Sequence, residues 1–153
     1  MKFPKSLKEG EKSERLVMNM VERKGLKPIK IVGAFKPYDF LIAETLQTFE
    51  VKRDWKSKET GNVVVEVQMP PGNDSGLITT RADYWVFHLP DCFLFIRPNE
   101  IKSVIFRERL RSCVFIGEGD DVPKLAYLVK RELLEARADK IKRWIGYEAQ
   151  EET

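Results

Sequence analysis

Histidine and cysteine are scarce in this chain of 153 residues, and their scarcity excludes whole classes of chemistry. His88 is the only histidine, and Cys92 and Cys113 are the only cysteines. No C-x-x-C occurs, so a zinc site of thiolates and imidazoles lacks its parts. A Ser-His-Asp triad would have to use His88, which follows the apolar run Trp85-Val86-Phe87 and reads as a structural residue. Both cysteines sit in apolar stretches, which predicts buried thiols in a reducing, cytoplasmic compartment. Long apolar runs are also missing. No stretch reaches the roughly 20 apolar residues of a membrane-crossing helix. Met1–Gly10 is polar and lysine-rich, without the apolar core of a secretion signal. Neither a membrane nor a secreted protein is expected. A strong excess of one charge is absent as well: a net charge of +3 permits nucleic-acid binding without arguing for it.

Hydrophobic residues make up 42% and charged residues 33%, the balance of a folded globular chain rather than a disordered one. The length suits one domain with a real core, spanning 1–153, with no internal repeat. Within it, residues 1–12 read as a mobile basic arm, 12–98 as the core and 99–153 as a C-terminal helical region. Ser13 is a plausible N-cap for a helix over Ser13–Lys24, with Leu16, Val17, Met20 and Val21 as its apolar stripe and Gly25 as its stop. Glu14 shares that stripe's side and could point inward, or could simply answer the helix dipole. Basic residues outnumber acidic ones in the first thirty residues, over Arg97–Arg111 and over Lys130–Arg143. Each cluster alone is an ordinary solvated face; three together suggest a surface that tracks phosphates.

The most informative feature is a pair of carboxylates and a lysine on neighbouring predicted strands. Asp39 opens the apolar run Phe40-Leu41-Ile42. Leu46–Lys52 then alternates, so Phe49 and Val51 face one way and Thr48, Glu50 and Lys52 the other. Adjacent strands would bring Asp39, Glu50 and Lys52 to one sheet edge. Hard cations such as Mg²⁺ take oxygen ligands, commonly one or two protein carboxylates with phosphate. The matching chemistry is metal-assisted phosphodiester hydrolysis. The competing view is a same-face surface ion pair, Glu50 with Lys52, worth about 0.2–1 kcal/mol and without chemistry.

Pro37-Tyr38-Asp39 followed by Glu50-Val51-Lys52 resembles the PD-(D/E)XK nuclease superfamily, with one tyrosine inserted between the proline and aspartate. Within it the chain is similar to small Holliday-junction-resolvase-like or phage-type endonucleases, through Thr60-Gly61-Asn62 and the stretch from Ser75 to Trp85. The resemblance implies an α/β fold, a mixed sheet with a restriction-endonuclease-like αβββαβ core, over residues 12–98. It implies a Mg²⁺-dependent DNA endonuclease, with Mn²⁺ able to substitute. Asp39 and Glu50 would hold the metal, helped by the Val51 carbonyl and by Glu14, and Lys52 would orient the attacking water. The alternative within the same fold is a catalytically inactive nucleic-acid-binding module.

Further along, Asn62–Gln68 is a strand with apolar residues on both faces. One register would set Glu66 opposite Glu50 and make it an auxiliary metal residue; a one-residue slip sends it to the surface. Met69–Gly76 is a loop by its Pro and Gly content, with a helix expected after Ser75. Ser75, Thr79, Thr80 and Arg81 could donate hydrogen bonds to DNA phosphates, or Ser75 and Thr79 could cap that helix. Tyr84–Leu89 and Cys92–Arg97 read as two strands, or as a helix end and a strand. Asn99–Arg111 has near-helical spacing. Asp120-Asp121-Val122-Pro123 would start a last helix with a buried stripe of Leu125, Leu128, Val129, Leu133 and Ala136. Trp144 would cover the core or stack on a partner, and Glu151–Thr153 would fray. A junction cutter acts on two symmetric strands and would need a homodimer.

Overall fold

The structure, a computed structural model, describes residues 5–34, 36–116 and 122–142. The α1 helix (Lys5–Arg23) leads into β1 (Pro28–Lys30), β2 (Phe40–Ile42) and β3 (Thr48–Arg53). A short α2 (Ser57–Thr60), β4 (Asn62–Met69) and β5 (Asn73–Asp74) follow. Then come β6 (Tyr84–His88), β7 (Cys92–Ile96) and α3 (Pro98–Arg107). β8 (Cys113–Phe115), β9 (Lys124–Lys130), α4 (Arg131–Glu135) and β10 (Asp139–Lys142) complete the described elements. These form two sheets, one in the order β1-β2-β3-β6-β7-β10 and one in the order β5-β4-β9-β8. The fold is therefore a mixed α/β one, with antiparallel pairs around a single parallel pair, β3 with β6.

The alternation of β3 settles which side each residue takes. Phe49 and Val51 join Phe40, Ile42, Val86 and Phe93 on one face of the larger sheet, under Leu16, Val17, Met20 and Val21 of α1. Trp85, Phe87, Leu94 and Ile96 on the other face pack with Val63, Val65 and Val67 of β4, Val129 of β9 and Ile101 and Val104 of α3. The helix stripe expected from the sequence is thus the one buried. Gly25 ends the helix in the left-handed region at φ 82°, its N–H bonded to the Glu22 carbonyl at 2.9 Å.

Several expectations need correction. Helix α1 begins at Lys5, so residues 5–12 are helix rather than a mobile arm, and Ser13 is a buried interior residue rather than an N-cap. The strand Pro28–Lys30 holds only three residues, too few to show a period in the sequence. With it counted, Asp39 precedes the second strand of the larger sheet, and Glu50 lies on the third. Asn62–Met69 is then not the partner of the Glu50 strand. It belongs to the second sheet, paired with β9, and lies within the crossover that joins parallel β3 to β6. No helix follows Ser75: residues 76–83 form turns and irregular chain. The stretch from Lys124 is a strand, not a helix, so the region after 99 is mixed. Leu125, Tyr127 and Val129 alternate inward from β9, a period of two that overrode the helical reading. Cys92 is buried as expected, while Cys113 on edge strand β8 is only half-buried. Asp120, Asp121, Arg143, Trp144, Tyr147 and Glu151–Thr153 lie outside the described residues, as do Met1–Pro4.

Candidate active site

Strands β2 and β3 run antiparallel, with Phe40 opposite Phe49 and Leu41 opposite Thr48. Beyond Phe40 the strand β2 ends, so the outer half of β3 needs another acceptor for its backbone. Asp39 supplies it. Its own N–H donates to the Phe49 carbonyl at 2.8 Å, and its carboxylate Oδ2 accepts the Val51 N–H at 2.7 Å. A side chain thus replaces a lost ladder bond and locks Asp39 against the strand that carries Glu50 and Lys52.

Glu50 and Lys52, two residues apart, share the face turned away from α1. Lys52 Nζ lies 3.5 Å from Glu50 Oε2 and 5.2 Å from the centre of the Trp85 ring, a cation–π distance. The lysine is 40% exposed while the Glu50 side chain is only 16% exposed, so the ammonium stands at the mouth and the carboxylate inside. Burial, and then the neighbouring Asp39 charge, push the Glu50 carboxyl above its ordinary value, against the opposing pull of Lys52. Glu50 Oε2 is buried and accepts no hydrogen bond from the described residues.

Glu14 does point inward. Its carboxylate is 8% exposed, with Oε2 3.7 Å from Lys36 Nζ and Oε1 4.0 Å from Lys30 Nζ. Burial and the Asp39 charge raise its pKa, and Oε1 accepts no hydrogen bond from the described residues. Lys36 also reaches Asp39 Oδ1 at 3.2 Å, so one ammonium stands between the two carboxylates. Burial works against its charge, but Asp39 and Glu14 outweigh that and hold Lys36 above the ordinary lysine value. Sequence reasoning missed Lys36. The available signal was a cation three residues before a candidate metal ligand, in the same Pro-Tyr-Asp segment.

Glu66 is engaged elsewhere. Its Oε2 accepts the Ser75 hydroxyl at 2.7 Å and its Oε1 pairs with Lys124 at 3.1 Å. Burial alone would raise its pKa, but these two donors hold it below the usual carboxylate range. Ser75 is buried in that bond, and Thr80 Oγ1 accepts the Trp85 indole N–H at 3.0 Å and the Ala82 N–H at 3.2 Å. Neither is a free phosphate donor, and Ser75 caps no helix; both bond inward in this loop. Thr79 and Arg81 are exposed. Of the expected basic surfaces, Arg97 stacks on Tyr84 and bonds its hydroxyl at 2.7 Å, Arg131 pairs with Asp91 and Glu135, and Arg137 pairs with Glu100. Lys102, Arg107, Arg109, Arg111 and Lys130 stay exposed.

Among the described residues, no three His, Cys, Asp or Glu side chains come together as a metal cage. The donor set at Asp39 and Glu50 nevertheless fits a hard divalent cation that needs only one or two carboxylates. The donors are oxygens, they are largely buried, and Glu50 Oε2 has only the long 3.5 Å ion pair to Lys52. Among the described residues, no helix is long and apolar enough to cross a membrane. Neither a protein-family model nor a curated protein matches this chain. Among solved structures it is similar to a bacterial homing endonuclease, at 20% identity and a TM-score of 0.52, over 65% of this chain and 73% of that one, a likeness of fold.

Proposed function

We propose that this protein is a Mg²⁺-dependent DNA endonuclease that hydrolyses phosphodiester bonds through Asp39, Glu50 and Lys52. One observation carries the reading: Asp39 is fixed to the Glu50 strand by the 2.7 Å bond from Val51 N–H, beside a buried Glu50 oxygen that Lys52 meets only at 3.5 Å. Buried anionic groups without full compensation are costly, and they persist where a site uses them. The fold shared with a homing endonuclease agrees with DNA as the substrate.

When bound, Mg²⁺, or Mn²⁺ in its place, would neutralise phosphate charge and lower the pKa of a coordinated water. Asp39 and Glu50 would hold it, with the Val51 carbonyl as a further oxygen donor. Lys52, anchored against Glu50 and over Trp85, would orient the attacking water and meet the charge that develops on the phosphate. Glu14 would act from behind Lys36. Thr79, Arg81 and the exposed arginines of α3 and its following turn would contact the DNA backbone. Branched or junction DNA acted on by a homodimer is one substrate form, linear duplex and single strands are others.

A second reading has an observation on its side. Lys36 already places a positive charge on Asp39, as a binding module that no longer needs metal would. Cleavage of labelled linear and branched DNAs with Mg²⁺, for the wild type and Glu50→Ala, separates the two. Metal-dependent cutting lost in the variant supports the nuclease. DNA retention without cutting under every metal supports the module.

A further inference from the structure

The two oxygens of Asp39 have different fates. Oδ2 is committed to the Val51 N–H at 2.7 Å and cannot leave without unpinning β3. Oδ1 is therefore the oxygen with capacity for a new ligand, and it is the one that Lys36 Nζ approaches at 3.2 Å. The same ammonium lies 3.7 Å from Glu14 Oε2. Lys36 is thus seated where a cation between those carboxylates would neutralise both. A Mg²⁺–oxygen bond is about 2.0–2.1 Å, so a divalent ion on Oδ1 would stand within a few ångströms of the ammonium and repel it.

The backbone around Lys36 differs from that around the other site residues. Asp39, Glu50 and Lys52 are held by strand ladders or by bonds to them. Lys36 lies in the irregular connection between β1 and β2, whose Val32 is 86% exposed. Its side chain can swing out without breaking a strand. Glu14, on α1, cannot follow it, because Ser13 and Val17 on either side are fully buried.

On the reading of Asp39 and Glu50 as a metal site, we infer that Lys36 is a tethered counter-ion that holds Asp39 and Glu14 in the metal-free protein and must release Asp39 when a divalent cation binds. It sets the metal concentration at which the site fills. It also keeps two buried carboxylates from repelling each other before that happens. Lys36 is a positioning residue, and it acts through Asp39.

The test is direct Mn²⁺ binding to the full chain, read by the loss of the free-ion electron paramagnetic signal. Wild type, Lys36→Met, Lys36→Arg and Glu50→Gln are compared without DNA. Lys36→Met should bind Mn²⁺ roughly tenfold tighter than wild type, Lys36→Arg about as weakly as wild type, and Glu50→Gln least of all. In the wild type, a nitrogen NMR signal of the Lys36 ammonium should shift and sharpen toward a free lysine as Mg²⁺ is added. This second measurement needs no variant to fold. A Glu50-dependent site of equal affinity in wild type and Lys36→Met, or a Lys36 signal unmoved while metal binds, overturns the counter-ion role and leaves the metal site standing. No Glu50-dependent binding in wild type or in Lys36→Met overturns the metal reading itself, and the counter-ion role with it.

Discussion

Strand β3 carries two polar clusters a few residues apart, and they are built on opposite plans. At its end, Arg53 pairs with Glu9 at 2.9 Å, donates to Ser13 Oγ at 3.2 Å and stacks 3.9 Å over Trp55. Ser13 Oγ in turn meets His88 Nδ1 at 2.7 Å, and the His88 ring stacks on Phe93. The cluster ties α1 to β3 and β6. One strand turn earlier, Glu50 and Glu14 each keep a buried oxygen that accepts no hydrogen bond from the described residues, and both are pushed toward the neutral form by burial. Burial alone does not mark a functional group; His88 is more buried than Glu50. What separates the two is the kind of group and its company: His88 is an imidazole held by Ser13 and stacked on Phe93, whereas Glu14 and Glu50 are carboxylates gathered around the charge of Asp39. A cluster that links elements stabilises the fold, and buried carboxylates brought together have capacity for a cation.

The largest expected effect tests the carboxylate cluster. Glu50→Ala should lower metal-dependent DNA cleavage by roughly 100-fold or more, with circular dichroism unchanged, and Asp39→Ala, which also strips the Val51 N–H of its acceptor, should lose as much cleavage per folded molecule while costing stability. Wild-type cutting by Glu50→Ala would remove Glu50 from the chemistry. Lys52→Ala should lower the single-turnover rate far more than DNA affinity, because its contact is proposed to form with the reacting phosphate. An affinity loss at an unchanged rate would assign Lys52 to binding.

The cluster of Arg53, Ser13 and His88 should behave in the reverse way. Ser13→Ala leaves the buried His88 nitrogen without its hydroxyl, which should cost about 1–3 kcal/mol in urea unfolding. Cleavage per folded molecule should stay at the wild-type level. A cleavage defect that exceeded the loss of folded protein would erase the distinction between the clusters. Glu50→Gln in metal-free buffer gives the opposite sign. The folded pKa of Glu50 is raised, so its charge opposes folding above that pKa, and the opposition fades as pH falls toward the ordinary glutamate value. The variant should therefore be more stable than wild type at neutral pH, by about 1 kcal/mol. That gain should disappear in acid, and a gain independent of pH would point to packing instead.

How much of this was legible in the sequence depends on range. The helix stripe at Leu16, Val17, Met20 and Val21 and the alternation of Phe49, Glu50, Val51 and Lys52 are local periods, and each appears in the fold. Convergence of Asp39 with the Glu50 strand followed from two adjacent strands. Partner choice was not legible: a strand such as Asn62–Met69, apolar on both faces, carries no mark of which sheet it joins. Its placement is set by Asp54, whose carboxylate accepts the Val64 N–H at 2.9 Å and the Ser57 N–H at 3.1 Å. It is set again at Gly76, in the left-handed region at φ 52°, where an added Cβ would come 2.2 Å from the Glu66 carbonyl. Such contacts join distant positions, and no local period encodes them. The same limit hid Lys36, whose meaning comes from Glu14, more than twenty residues away.

The smallest expected effect concerns the loop after β5, where four polar residues looked alike in the sequence and are not alike in the fold. Thr80 is spent on Trp85, whereas Arg81 is exposed next to it. If Arg81 meets a DNA phosphate, Arg81→Ala should weaken binding of many sequences alike and reduce the slope of log affinity against log salt by about one contact's worth. Ca²⁺ in place of Mg²⁺ should allow this measurement, because it takes the same oxygens at longer distances and should support binding with little cutting. Thr80→Val should leave that slope alone and instead cost stability, about 1 kcal/mol, through the unpaired indole N–H of Trp85. A changed slope for Thr80→Val with an unchanged melting temperature would show that Thr80 leaves Trp85 to reach DNA. An unchanged slope for Arg81→Ala would take this loop out of the interface and leave backbone contact to the exposed arginines around the end of α3.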